Sequence, residues 1–122
     1  MSIEGKIYSA LSASTALTAL VSSSIYPDHR YQGDTVPAVV YYRAPGGERI
    51  NDLKGYGGKE NPVIEITAYA TAVDTRRDVA DAVITAITNS TRFSALLPMP
   101  PFDDYDDETK TYERTLQFSV WN

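Results

Sequence analysis

The chain has 122 residues, 43% apolar and 22% charged, and a formal charge of −5, which fits one soluble domain around a single core. It has no cysteine, which excludes disulfides and thiolate metal sites. No apolar run approaches the ~18 residues of a membrane span, and "MSIEGKIYSALSAS" lacks the charged n-region and continuous apolar stretch of a secretory signal, so a cytosolic product is expected.

Ile3, Ile7 and Leu11 are spaced four apart, the stripe of one helix. Ser2 is placed to cap it, accepting from the free amides of the first turn. Ser12, Ser14 and Thr15 predict a break, with a second short turn over Thr15 to Val21. "SSSIYPDHRYQGDTVP" is loop-rich, with a short strand at Ile25 and Tyr26 that Pro27 ends. "AVVYYR", residues 38–43, is β-branched and aromatic, and reads as a strand started by Pro37.

The next segment, "APGGERINDLKGYGGKENP", reads as a long loop or an extended hairpin projecting from the body. "VIEITAYAT" alternates, with Ile64, Ile66, Ala68 and Ala70 on one face and Val63, Glu65, Thr67 and Tyr69 on the other. "VDTRRDVADAVITAITNS" is the clearest helix, capped by Asp74 or Thr75 and carrying Val79, Val83 and Ile87 on one stripe. "RFSALLPMPPFDDYDDETK" reads as irregular because of Pro98, Pro100 and Pro101. At the end, Tyr112, Arg114, Leu116, Phe118 and Val120 alternate with Glu113, Thr115, Gln117, Ser119 and Trp121, a strong strand signal. The expected fold is α+β: a small, mostly antiparallel or mixed sheet of about four strands, with two main helices on one face and the long loop or hairpin between the second and third strands.

The charge is local. Six acids and one base between Asp103 and Glu113 net −5, while the rest of the chain carries ten of each and nets zero. A neutral body with one acidic edge is a poor footprint for gripping nucleic acid. The acidic run Asp103, Asp104, Asp106, Asp107 and Glu108 is the first candidate site. An EF-hand loop requires a glycine at its sixth position, where "DDYDDETKTYER" has Glu108. Paired carboxylates for acid–base chemistry require a pocket that drives their pKa values apart, and adjacent aspartates read instead as a solvated turn. His29 is the single histidine; beside Asp28 and with no nucleophile elbow, it reads as a loop residue.

"GYGGKE" lacks the leading glycine and the Ser/Thr of a phosphate loop, having Leu53 and Glu60 there. "GYGG" also fits the bare G-x-x-G of a KH domain, but no helix pair flanks it. The same segment does offer Arg49, Lys54 and Lys59 around Ile50, Leu53 and Tyr56, the mixture of basic and apolar contacts with which subunits grip neighbours. Nine tyrosines, several on loops (Tyr26, Tyr31, Tyr56, Tyr105), exceed the needs of a core this size and suit interfaces.

Four segments in order carry a resemblance: the N-terminal helix leading into "LVSSSIYPD", then "VPAVVYYR", then "VIEITAYATAVDTRRDVADAVITAI", and the terminal "YERTLQFSVW". Together they resemble the tail completion proteins of long-tailed phages, also called tail terminator or head–tail joining proteins, over nearly the whole chain. The resemblance implies one tail-terminator-like domain over 1–122 with a projecting arm at about 44–61. It implies a hexameric ring on the head-proximal end of the tail tube, made in the host cytoplasm and carried in the virion. The ring ends tube polymerisation and docks the head connector, with no enzyme activity, no cofactor and no membrane. Partners are further copies of the chain, the tail tube protein and the connector proteins, with DNA passing through the lumen without specific binding. On this view the arm, through Arg49, Ile50, Leu53, Lys54, Tyr56 and Lys59, touches the next subunit or the tube. The acids from Asp103 to Glu108 then face the lumen or connector. Two rivals stand beside it: another neck or minor tail protein on the same fold, and a small α+β enzyme or ligand-binding domain using those carboxylates and His29.

Overall fold

The computed structural model describes residues 2–28, 36–52, 55–97 and 100–121, the side chains of 45–60 excepted. In chain order the elements are α1 (Ile3–Ala13), α2 (Thr15–Val21), β1 (Ile25–Pro27), β2 (Ala38–Asp52), β3 (Gly55–Ala70), α3 (Val73–Thr88), β4 (Ser94–Leu96), β5 (Phe102–Asp106) and β6 (Thr111–Trp121). The strands form one six-stranded sheet in the order β1-β2-β3-β6-β4, with β5 also paired to β6. β1 is parallel to β2 and every other pairing is antiparallel. The α+β class and the mixed sheet are as expected, but among the described residues there are six strands rather than about four, and three helices. The two extra strands, β4 and β5, lie in the proline-rich segment read as irregular; both are short strands on one edge of β6, where a proline outside the pairing does no harm.

Local signals account for the helix boundaries. Ser2 Oγ accepts from the Gly5 amide at 3.0 Å and Ser14 Oγ accepts from the Leu17 amide at 3.2 Å, so the serine at the break both ends α1 and starts α2. α3 departs from expectation: Ala72 is its N-cap and no side chain caps it. The helix begins as soon as β3 ends, before either predicted cap, leaving Asp74 in the first turn, where its charge still meets the helix dipole.

The core fills one layer. Ile3, Ile7, Leu11, Leu17 and Val21 from the first two helices and Val79, Val83 and Ile87 from α3 pack on Val39, Tyr41, Ile64, Ile66, Ala68, Leu116, Phe118 and Val120 of the sheet. Register aligns these residues: Tyr41 opposite Ile66, then Ile66 opposite Leu116 and Ile64 opposite Phe118. Fully buried Ala68 and Ala70 of the sheet and Ala80 of α3 let the helix backbone come close. Glu4 ties α1 to β2 through Arg43, with Oε1 at 2.6 Å from Nη2; both side chains are over 40% exposed, so this pair adds at most ~1 kcal/mol.

β2 and β3 are far longer than their apolar segments suggest. Beyond Ala44 and Val63 they continue as a two-stranded ribbon, from Glu48 opposite Asn61 to Asp52 opposite Gly55. The pairing slips twice, between Ala44 and Glu48 and between Ile50 and Asn51. Gly46-Gly47 falls in the first slip and Gly57-Gly58 in the second. Glycine is the residue that bulges favour, so the diglycines that suggested loop are the joints of a ribbon.

Phe118 is fully buried while Phe102 is 53% exposed. Phe118→Ala should cost ~3–5 kcal/mol and Phe102→Ala under ~0.5 kcal/mol in urea unfolding; equal losses would contradict the one-layer core. Ser22, which ends α2, has φ 56° and ψ −122°, a region that suits glycine. Ser22→Gly should raise stability by about 1 kcal/mol, visible as a shift of the urea midpoint.

Candidate functional site

The acidic run is half strand and half turn. Asp103, on β5, lies opposite Arg114 of β6 and accepts two of its hydrogen bonds: Nε to Oδ1 at 2.7 Å and Nη2 to Oδ2 at 3.2 Å. Arg76 of α3 adds Nη2 at 3.3 Å from the same carboxylate. Arg76 in turn lies over the Tyr112 ring, 5.5 Å from its centroid, and Tyr112 packs on Tyr105 with centroids 4.7 Å apart. The Arg114 hydrogen bonds hold the Asp103 carboxyl below the usual carboxylate range, and Asp103 raises Arg114 in return. A carboxylate held between two guanidiniums is a poor proton acceptor and a good fastener; it pins β5 to β6 and to α3.

Two more acids are engaged with backbone. Asp104 Oδ1 accepts from the Tyr105 amide at 2.8 Å. Asp106 Oδ1 accepts from the amides of Glu108 at 2.9 Å and Thr109 at 3.4 Å, closing the turn into β6 as aspartate does at turn starts. Asp107 and Glu108 are exposed in that turn. The solvated-turn reading therefore holds for 107–110, whereas Asp103 belongs to a three-element ion cluster. Arg76 is the member the sequence did not reveal, because only the packing of α3 brings it to β5.

Two grooves among the described residues lie elsewhere. A groove of about 440 Å³ runs between the α1–α2 junction and the end of α3, lined by Ser9, Ala13, Thr85, Asn89 and Arg92 among others. A second, of about 420 Å³, lies beside Glu4, Asp28, Tyr41 and Arg43. The acids from Asp103 to Glu108 line neither, and among the described residues no three His, Asp or Glu side chains converge as metal ligands would. His29 and Tyr31 lie outside the described residues.

The sheet face away from the helices is hydrogen-bonded within itself. Tyr42 donates to Glu65 Oε1 and Gln117 donates to Glu65 Oε2 at 3.2 Å, bridging β2, β3 and β6. Burial, followed by this bond to Glu65, pushes the Tyr42 hydroxyl up to about 12. Thr67 and Thr115 pair at 3.2 Å, and Asn61 donates to Ser119 Oγ and the Val120 carbonyl, both at 2.9 Å. The alternation assigned Glu65, Thr67, Thr115 and Gln117 to this face; the three-strand bridge appears only with the register.

Among the described residues, large apolar side chains break the surface mainly at one edge. Leu96 on β4 is 60% exposed, Phe102 53% and Tyr105 40% on β5; of the others, Tyr8 and Val73, neither is on a strand. Among the described residues β4 and β5 pair only with β6, so their outer backbone edges are open. The ribbon occupies the other half of the sheet. Arg49, Ile50, Tyr56 and Lys59 belong to its paired backbone, while Leu53 and Lys54 lie outside the described residues.

Asp103 is 40% exposed, so its ion pairs are screened and worth ~0.5–1 kcal/mol. Its folded pKa is lowered, so this stability is complete above the unfolded value of ~3.9 and is lost as pH falls through the folded value. Asp103→Asn should lower the melting temperature at pH 7 by a few degrees (~4 °C per kcal/mol) and flatten the acid limb of the stability–pH curve. An unchanged acid limb would remove Asp103 from its fastening role.

The family profile for Tail completion protein gp17 matches residues 5–122. No curated protein sequence matches the chain. Among solved structures, a chain from the "Virion of native gene transfer agent (GTA) particle" superposes with a TM-score of 0.67 at 19% identity, covering 98% of this chain and 92% of that one; at that identity the likeness is one of fold. With the profile spanning all but the first four residues, the chain belongs to the tail completion protein gp17 family and is a structural component of a phage virion, in its tail or neck.

Proposed function

We propose that the chain forms a ring, most simply a hexamer, on the head-proximal end of a phage tail tube, where it ends tube polymerisation and joins the tail to the head connector. The observation that carries this reading is the pair of dissimilar open edges on one sheet: the two-stranded ribbon that extends β2 and β3 past Ala44 and Val63, and the β4–β5 edge, with its exposed apolar side chains, in the other half. A ring needs heterologous contacts, one patch meeting a different patch on the next subunit, and a sheet open at both sides supplies two. Family membership supports the tail role.

The ribbon reaches the adjacent subunit or the tube beneath it. Asp107 and Glu108, in the turn rather than in the ion cluster, face the lumen or the connector, where negative charge repels passing DNA. The role is structural rather than catalytic. Asp103 is locked between arginines and the remaining acids of the run sit outside the two described grooves, which argues against the enzyme reading.

Tails assembled without this protein should be overlong and headless in negative-stain images. Adding the purified chain to bare tubes should cap one end, stop elongation and restore head attachment. Tubes whose length and head joining are indifferent to the protein would overturn the proposal, and density for the chain elsewhere in the neck would favour a neighbouring structural role.

A further inference from the structure

We infer that copies of this chain join by strand addition: the outer edge of the β2 ribbon strand, Glu48–Asp52, pairs with the open edge of β5, Phe102–Asp106, on the next copy. The inference rests on the self-association proposed above and names its contact. An open strand edge is a row of unpaired amides and carbonyls, a template for another chain. In the order β1-β2-β3-β6-β5 the ribbon's β2 edge and the β5 edge look in opposite directions across the sheet. Opposite edges are what a head-to-tail contact repeated around a ring requires, whereas the β3 edge of the ribbon faces the same way as β5 and would reverse the next subunit.

The two stretches match in length, five residues each. Leu96, Phe102 and Tyr105 expose apolar surface beside the β5 backbone, and Ile50 is the apolar residue of the ribbon strand. Glu48–Asp52 carries two acids and one base and β5 three acids, so backbone pairing and apolar contact, rather than opposite charge, join the two edges. β1, at the far side of the sheet, is only three residues long and ends in Pro27, so it blunts the edge next to the ribbon and leaves the ribbon itself as the donor. In the isolated subunit Asp104 holds the Tyr105 amide, so the receiving edge is capped by its own side chain until a neighbouring strand displaces it.

The chain has no native cysteine, which makes disulfide trapping unambiguous. Ile50→Cys combined with Asp104→Cys or with Tyr105→Cys in one chain should give, on mild oxidation, a ladder of covalent multimers ending at the ring size. Either cysteine alone should stay at or below the dimer. Equimolar mixing of the Ile50→Cys chain with the Tyr105→Cys or Asp104→Cys chain should give mainly the mixed dimer. In a second arm, a Phe102→Asp chain and a chain with residues 48–60 replaced by a short Gly-Ser turn should each lose self-association at least tenfold. Mixed together, they should form a one-to-one dimer by light scattering, because each keeps the half that the other lacks. Rings without the cross-links, or a mixture that stays monomeric while each variant keeps a wild-type melting curve, would overturn strand addition. So would a wild-type chain that is monomeric both free and on tubes. The capping assay separates the two claims: a chain that caps tubes without these cross-links sinks this contact alone, and one that fails to cap sinks the functional reading.

Discussion

The pairing register between β3 and β6 governs the rest of the structure. Ile64 opposite Phe118 and Ile66 opposite Leu116 put the largest apolar side chains of both strands on the helix side. A slip of one residue would send them to the open face and bring Glu65, Gln117 and Thr115 into the core. The cost of burying a carboxylate and an amide without partners is several kcal/mol, so the register is held from both faces. The helices demand the apolar set, and the Tyr42–Glu65–Gln117 bridge accepts only the polar set. β4 and β5 are then placed by the edge of β6 that β3 leaves free.

What the sequence conveyed follows from how local each signal is. Alternation in 63–70 and 112–121 is a property of single strands, and both faces were assigned from it. The serine caps of α1 and α2 are equally local, contained within three residues. β4 and β5 were hidden because their stability comes from β6 rather than from their own composition, and because three prolines and a run of acids argue against a strand when read alone. The ribbon was half legible: an extended hairpin was one of two readings, but diglycines also signal a loop, and only a partner strand distinguishes a bulge from a loop.

The acidic run shows the same dependence at the level of a site. Five carboxylates within six residues looked like one feature, yet they divide by environment. One is bound by two arginines from different elements, two hold backbone amides, and two are left to solvent. The partner that ties Asp103 to α3, Arg76, is distant in sequence and lies on a helix whose polar stripe gave no hint of it. Net charge overstates what this edge presents, since part of it is neutralised within the fold.

The two slips in the ribbon have a consequence for how it can vary. At the first, β2 has three residues where β3 has only Pro62; at the second, β3 has Gly57 and Gly58 where β2 has none. Each slip is an excess of two residues, on opposite strands, so the excesses cancel and the ribbon ends level at Asp52 and Gly55. Because a strand repeats every two residues, changes made in pairs leave the phase of both strands intact. Descendant sequences can therefore lengthen or shorten the ribbon two residues at a time, tuning its reach without rewriting the sheet from which it grows.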